Sequence, residues 1–261
     1  MLGATASRIR GRITGREGNV ASEHDEDNQQ TGIHRVNSQH EPEIPEVVIR
    51  RLPIYARTLD ELLSVGIGSI SSNDLADRIG VTAAQIRRDL SYFGRFGKQG
   101  KGYDIALLLS EIRRILNLTR NWDVALVGFG HLGQAIARYR GFLESNFHIA
   151  AVFDDDPEKI GRPVGMEGLT VLPDRQIAEI VAARGIKIGI IAVPAAAAQK
   201  TADMLVAGRI VALLNYAPVV LQVSDWIYVR DIDPITMLQS MTYFIDKPYR
   251  RVGLSNFDTD D

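Results

Sequence analysis

Gly128, Gly130 and Gly133 form a Gly-x-Gly-x-x-Gly turn around Phe129, His131 and Leu132, directly behind the apolar run Trp122 to Val127 and ahead of a helical pattern, Gln134 to Leu143. The first two glycines allow a tight turn whose backbone N–H groups can approach a pyrophosphate at a helix N-terminus. A second apolar run, His148 to Phe153, ends at Asp154, 21 residues after Gly133. A carboxylate there would hold the adenosine ribose hydroxyls. Asp155 and Asp156 follow, and their charge repels a 2'-phosphate, so the expected cofactor is NAD(H) rather than NADP(H). The plain alternative is a strand–helix turn that binds nothing.

A different chemistry is written upstream. Thr82 offers a cap for a helix, Ala83 to Phe93, in which Ile86, Leu90 and Phe93 fall on one stripe at 100° per residue. Ala84, Arg88 and Ser91 fall opposite, with Gln85, Arg87 and Tyr92 on the flanks. These side chains can reach base edges and phosphates, as a recognition helix in the major groove requires. The competing reading is an exposed face on which Arg87 and Arg88 are merely solvated. Ser71-Ser72-Asn73-Asp74 caps a preceding short helix, Leu75 to Ile79, which Gly80 stops; the pair has a helix-turn-helix layout. Arg95 to Tyr103 then mixes basic residues with glycines and reads as the wing of a winged helix, Arg95, Lys98 and Lys101 supplying phosphate charge. A nucleotide-phosphate loop is the alternative there, but the Gly-Lys-Ser/Thr ending is missing.

The elements that position these residues follow from periodicity. Apolar spacing from Pro45 through Leu52, Tyr55, Leu59 and Leu62 to Gly66 predicts a helix, with Pro53 forcing a kink or a later start. Ser110 to Leu118 reads as a short helix joining two domains. Beyond the glycine turn, Lys187 to Val193, Ile210 to Asn215 and Trp226 to Val229 read as strands and Ala195 to Val206 as a helix. Such alternation makes an α/β fold with a doubly wound parallel sheet. Ligands in these sheets sit at the carboxyl ends of strands, so the loops carrying Val193 and Pro194, and Asn215, Ala217 and Pro218, are candidate cofactor walls.

The chain has 261 residues, a formal net charge of -2 and no cysteine. Disulfides, thiolate metal sites, iron–sulfur clusters and thiol redox switches are excluded. Residues 1–44 hold 5 Lys/Arg against 7 Asp/Glu and no aromatic residue, which predicts a disordered tail. Residues 45–120 hold 12 against 8, and residues 121–261 hold 13 against 17. Opposite charge in adjoining segments predicts two domains with different partners, a DNA-binding domain over 45–120 and a dinucleotide domain over 121–232, with 233–261 set apart as a C-terminal helix and tail. With no signal-like or membrane-length apolar run, a soluble cytoplasmic protein is expected.

An oxidoreductase would need a proton donor or acceptor beside the nicotinamide. His24, His34 and His40 lie in the tail, His131 in the glycine turn and His148 at a strand start, and no acid–base pair stands out among Lys159, Lys200, Tyr139 and Tyr216. An enzyme is not expected. Instead Arg87 to Gly94, Gly100 to Tyr103, Gly128 to Gly133, Phe153-Asp154, Lys159-Ile160-Gly161, Val193-Pro194 and Asn215 to Pro218 together resemble the redox-sensing transcriptional repressor family Rex, over roughly Ile44 to Lys247.

The resemblance implies a winged helix joined to a Rossmann domain, with Lys159 at the cofactor site. It implies a homodimer that binds double-stranded operator DNA when NADH is low and lets go when NADH binds. It also implies that a helix near Ile235 to Phe244 is exchanged between subunits, and that Arg57, Tyr139 and the other subunit's Asp233 couple the domains. Asp233 before Pro234 is equally a natural helix cap. Two other readings remain open: an NAD-dependent oxidoreductase with an N-terminal docking module, and a CoA-type or nucleotide-binding scaffold.

Overall fold

The computed structural model describes residues 44–96, 102–143, 145–165 and 168–245; the expected tail through residue 43 lies outside them. Helix α1 (Glu46–Ser64) buries Leu52, Tyr55, Leu59 and Leu62 on one side. Pro53 sits on the exposed side, and the helix neither starts late nor ends there, because the buried face carries it through one missing N–H. Strand β1 (Ser69–Ile70) leads into α2 (Ser72–Ile79), whose Ser71 Oγ accepts the Asp74 N–H at 3.1 Å. Gly80, at φ 76°, closes α2 in the left-handed region. Thr82 caps α3 (Ala83–Ser91) by accepting the Gln85 N–H at 3.1 Å, and α3 stops two residues short of the expected Phe93.

Strand β2 (Tyr103–Asp104) pairs antiparallel with β1, which ladders the end of the run expected as the wing to the segment before α2; residues 97–101 of that run lie outside the described residues. Helix α4 (Ile105–Ile115) corrects the expected linker. Asp104 caps it through the Leu107 N–H at 2.9 Å, and Ile105, Leu108, Leu109 and Ile112 are buried against α1, α2 and α3 in one core. It belongs to the helical module rather than bridging away from it.

The remainder is a seven-stranded sheet. Its elements are β3 (Trp122–Val127), α5 (His131–Ala137), α6 (Arg140–Leu143), β4 (Phe147–Asp154), β5 (Pro163–Val164), β6 (Leu169–Pro173), α7 (Ile177–Arg184), β7 (Ile188–Ile191), α8 (Ala195–Ala207), β8 (Ala212–Asn215), β9 (Tyr228–Asp231) and α9 (Pro234–Ile245). The order is β5-β6-β4-β3-β7-β8-β9, parallel except for the β5–β6 pair. From β6 to β9 this is the doubly wound order 3-2-1-4-5-6, with the topological switch between β3 and β7. Separate apolar clusters pack around α7 and α8 and around α5.

The single helix expected over Gln134 to Leu143 is two. Helix α5 begins inside the glycine turn, and the chain breaks at Arg138-Tyr139, where the Tyr139 ring folds over Gly141 so closely that a Cβ there would lie 2.3 Å from it. Among the described residues, those before and after residue 120 form separate apolar cores within one compact unit.

Candidate dinucleotide cleft and nucleic-acid interface

At the switch point, the ends of β3 and β7 splay around a cleft of about 500 Å³. Val127, Gly128 and Gly130 form one wall, Val193, Pro194, Ala196 and Ala197 the other, with Asp154, Asp155 and Lys159 at one end. The three glycines do different work. Gly128, at φ 97°, would place a Cβ 2.4 Å from the Ala192 oxygen, and one on Gly133 would lie 1.8 Å from the Gly128 oxygen. Both positions need a hydrogen for the backbone to close. A Cβ on Gly130 would meet nothing within 4 Å. That open position faces the cleft, as the middle glycine of a pyrophosphate cradle must.

Asp154 is not the free ribose acceptor that its spacing suggests. Its carboxylate is buried and accepts the Phe129 N–H at 2.6 Å and the Asp156 N–H at 2.9 Å, with Lys159 Nζ at 3.1 Å. It clasps the glycine turn to the end of β4. Burial pushes its carboxyl upward, but the two N–H groups and the Lys159 ammonium outweigh this and hold it below the ordinary range. Since the folded value lies below the unfolded value of about 3.9, its stabilisation is complete above that pH and is lost as pH falls through the folded value. Thermal melts across pH 2–6 should therefore show a shallower acid limb for Asp154→Asn than for the parent chain; identical limbs would deny the clasp.

Other expected cofactor residues divide. Lys159, Val193 and Pro194 line the cleft. Phe129 contributes its N–H while its ring is buried, and His131 and Leu132 are exposed on the first turn of α5. Asn215, Ala217 and Pro218 do not line it. The buried Asn215 donates to the Val219 oxygen at 2.9 Å and Asp231 at 2.8 Å and accepts from the Ala217 N–H at 3.0 Å, which shapes its own loop. Asp174, Lys200, Thr201 and Met204 also line the cleft although the sequence does not mark them as cofactor residues: Asp174 follows β6, a strand its pattern does not announce, and Lys200, Thr201 and Met204 sit on the expected helix α8, whose Ala-rich pattern does not reveal which side faces the cleft.

On α3, Arg88 is exposed and makes no side-chain bond among the described residues, and Arg95 beyond the helix is exposed. Arg87 is exposed, with Nη1 donating to Ser72 Oγ at 2.8 Å, and Ser91 Oγ bonds back to the Arg88 carbonyl. Tyr92 is half-buried, and Lys98 and Lys101 lie outside the described residues. Gln85 is also half-buried, its Nε2 held by Asp89 at 2.7 Å. Asp89 itself, fully buried, was missed. It accepts a two-pronged Arg51 guanidinium at 2.6 and 2.8 Å and the Tyr55 hydroxyl at 2.6 Å. The signal was its place three residues after Ile86, on the apolar stripe.

Of the implied coupling residues, Arg57 and Tyr139 are exposed, and Asp233 Oδ1 caps α9 through the Ile235 N–H at 2.9 Å. No bond joins the three within one chain among the described residues. A junction that was not foreseen lies at Glu46, where Oε1 accepts from Tyr228 at 2.8 Å and Arg230 at 3.1 Å, tying α1 to the edge strand β9.

A helix-turn-helix module fused to a doubly wound sheet with a nucleotide cleft at its switch point defines a ligand-responsive DNA-binding regulator. Residues 43–91 match the family model described as "Putative DNA-binding protein N-terminus", and residues 119–219 match "CoA binding domain". The redox-sensing transcriptional repressor Rex of Roseiflexus sp. (strain RS-1) is 55% identical over 203 residues, covering 78% of this chain and 91% of the relative. The Rex of Carboxydothermus hydrogenoformans is 45% identical, covering 77% and 96%.

Among solved structures, RSP bound to β-NAD+ and operator DNA superposes with a TM-score of 0.73 at 38% identity, covering 77% of this chain and 91% of that one. RSP with β-NADH gives 0.70 at 36%, covering 77% and 93%. The chain belongs to the Rex family of redox-sensing transcriptional repressors. Kinship thus sets aside the oxidoreductase reading.

Proposed function

We propose that this chain represses transcription according to the NADH/NAD+ balance. The observation that carries this is the cleft at the switch point, open at Gly130, in the same chain as a capped recognition helix with a free Arg88. The RSP complexes, one with β-NAD+ and operator DNA and one with β-NADH, support it. Both dinucleotide forms enter the cleft, their pyrophosphate against Gly130, with Asp155 left for the adenosine ribose. Val193, Pro194, Ala196, Ala197 and Met204 make the α8 wall largely apolar. The neutral reduced ring can be buried there without the desolvation cost that the cationic oxidised ring carries. A ligand shifts an equilibrium only by its differential affinity for the two states, and this difference is what NADH supplies.

The functional unit is a homodimer. Helix α9 carries an apolar stripe of Ile235, Met237, Leu238, Met241 and Phe244, yet none of its residues is buried in one chain. A helix of that kind needs a second surface. The sheet supplies one, an apolar slot of about 290 Å³ lined by Val124, Phe142, Phe147, Ile190 and Leu214 and rimmed by Tyr228 and Arg230. Exchange of α9 between two copies fills both slots. It brings Asp233, whose Oδ2 accepts no bond among the described residues, to the other copy's Arg57 and Tyr139. Such a regulator works beside the chromosome in the cytoplasm, and no helix among the described residues is long and apolar enough to cross a membrane.

Arg88→Ala tests the division of labour. Anisotropy titrations should show roughly 1–3 kcal/mol of operator affinity lost, the usual worth of a base contact, with NADH binding unchanged. Undiminished operator affinity would remove α3 from the groove.

A further inference from the structure

Asp89 lies on α3, fully buried against α1. Three donors converge on it: Arg51 through both prongs, Tyr55 at 2.6 Å and Gln85 Nε2 at 2.7 Å. Burial alone would favour the neutral acid, yet Arg51, Tyr55 and Gln85 outweigh it and keep the carboxyl below its ordinary range. An ionised carboxylate accepts and never donates. It therefore dictates which end of the Gln85 carboxamide faces inward: the NH2 must, and the oxygen cannot.

We infer that Asp89, itself held by Arg51 and Tyr55, is a positioning residue for base readout that locks the Gln85 carboxamide in one orientation. The inference rests on α3 being the element that reads the operator. A freely rotating amide could present both N–H groups to guanine, whose major-groove edge carries two acceptors, N7 and O6. The held amide has one N–H spent on Asp89, leaving Oε1 and a single N–H. That pair matches adenine, which offers a donor at N6 and an acceptor at N7, and sets an oxygen against guanine. The ion pair inside the module thus becomes discrimination at one base pair of each half-site, although Asp89 never touches DNA.

The test measures operator affinity and base preference of the full-length dimer by binding to a set of operators varied one position at a time. Asp89→Asn should lose at least fivefold in affinity for the best operator and relax the penalty against guanine at one position per half-site, leaving other positions and NADH affinity unchanged. In a Gln85→Ala background, Asp89→Asn should cost less than twofold more, because the side chain it acts through is gone. Arg51→Lys keeps the charge but loses the fork; it should relax the same position more weakly, and it keeps the test open should Asp89→Asn fail to fold. Independent losses from Asp89→Asn and Gln85→Ala, or relaxation at every position alike, would reduce Asp89 to a structural pin. If neither Gln85→Ala nor Arg88→Ala affected operator binding, the assignment of α3 would fail instead.

Discussion

Gly130→Ala yields a folded repressor that leaves its operator only at NADH concentrations at least tenfold above those that release the parent chain. A methyl at this position meets no protein atom within 4 Å, and φ of -77° suits any residue. Replacing glycine at a helix N-cap by alanine costs at most about 1 kcal/mol, so the melting temperature should change little. The methyl instead occupies the space a pyrophosphate needs to reach the backbone. NADH and NAD+ should both bind at least tenfold more weakly, about 1.4 kcal/mol or more, while operator affinity without ligand is unchanged. Calorimetric titration of both dinucleotides checks this, and parental NADH affinity in the variant would show that the cradle is not used. Gly133→Ala makes the contrast: its Cβ collides with the Gly128 oxygen, so the turn itself must give.

Leu238→Lys should break the dimer. Leu238 is 57% exposed on α9 in a single chain, among large apolar neighbours with no intrachain cover. Burying a leucine contributes about 1.5–3 kcal/mol, and exchange makes each change count twice. A lysine there faces burial of an unpaired charge in a slot rimmed by Arg230. Sedimentation at micromolar concentration should show monomers, and operator affinity should fall more than a hundredfold because two half-sites can no longer be held at a fixed spacing. A stable dimer with full operator affinity would mean that α9 is not the exchanged element.

Much of this is legible in the sequence. The caps at Ser71 and Thr82, the Gly80 stop and the glycine turn are local chemistry, settled within a few residues, and each stands where its sequence places it. What could not be read depends on distant partners. Asp154 has the spacing of a ribose ligand, but Phe129 and Lys159 consume its oxygens. Asn215 sits at a strand end like a cofactor residue, and its loop claims it. Helix α4 begins five residues before the expected Ser110, because Leu107 to Leu109 is too short a run to show its period and its cap, Asp104, follows directly on the run read as the wing. Strands β5 and β6 are two and five residues long, too short for alternation to register.

The opposite charges of the two halves now have addresses. The basic segment places Arg87, Arg88 and Arg95 on the outer face of the helix-turn-helix module, and the acidic one gathers Asp154, Asp155 and Asp174 around the cleft. The most direct measurement is operator binding by the full-length dimer, titrated separately with NADH and NAD+ at one fixed salt concentration, because phosphate contacts make affinity strongly salt-dependent. Release at NADH concentrations at least tenfold below any effect of NAD+ is the predicted result. Equal responses to the two forms, or none to either, would contradict redox sensing by this cleft.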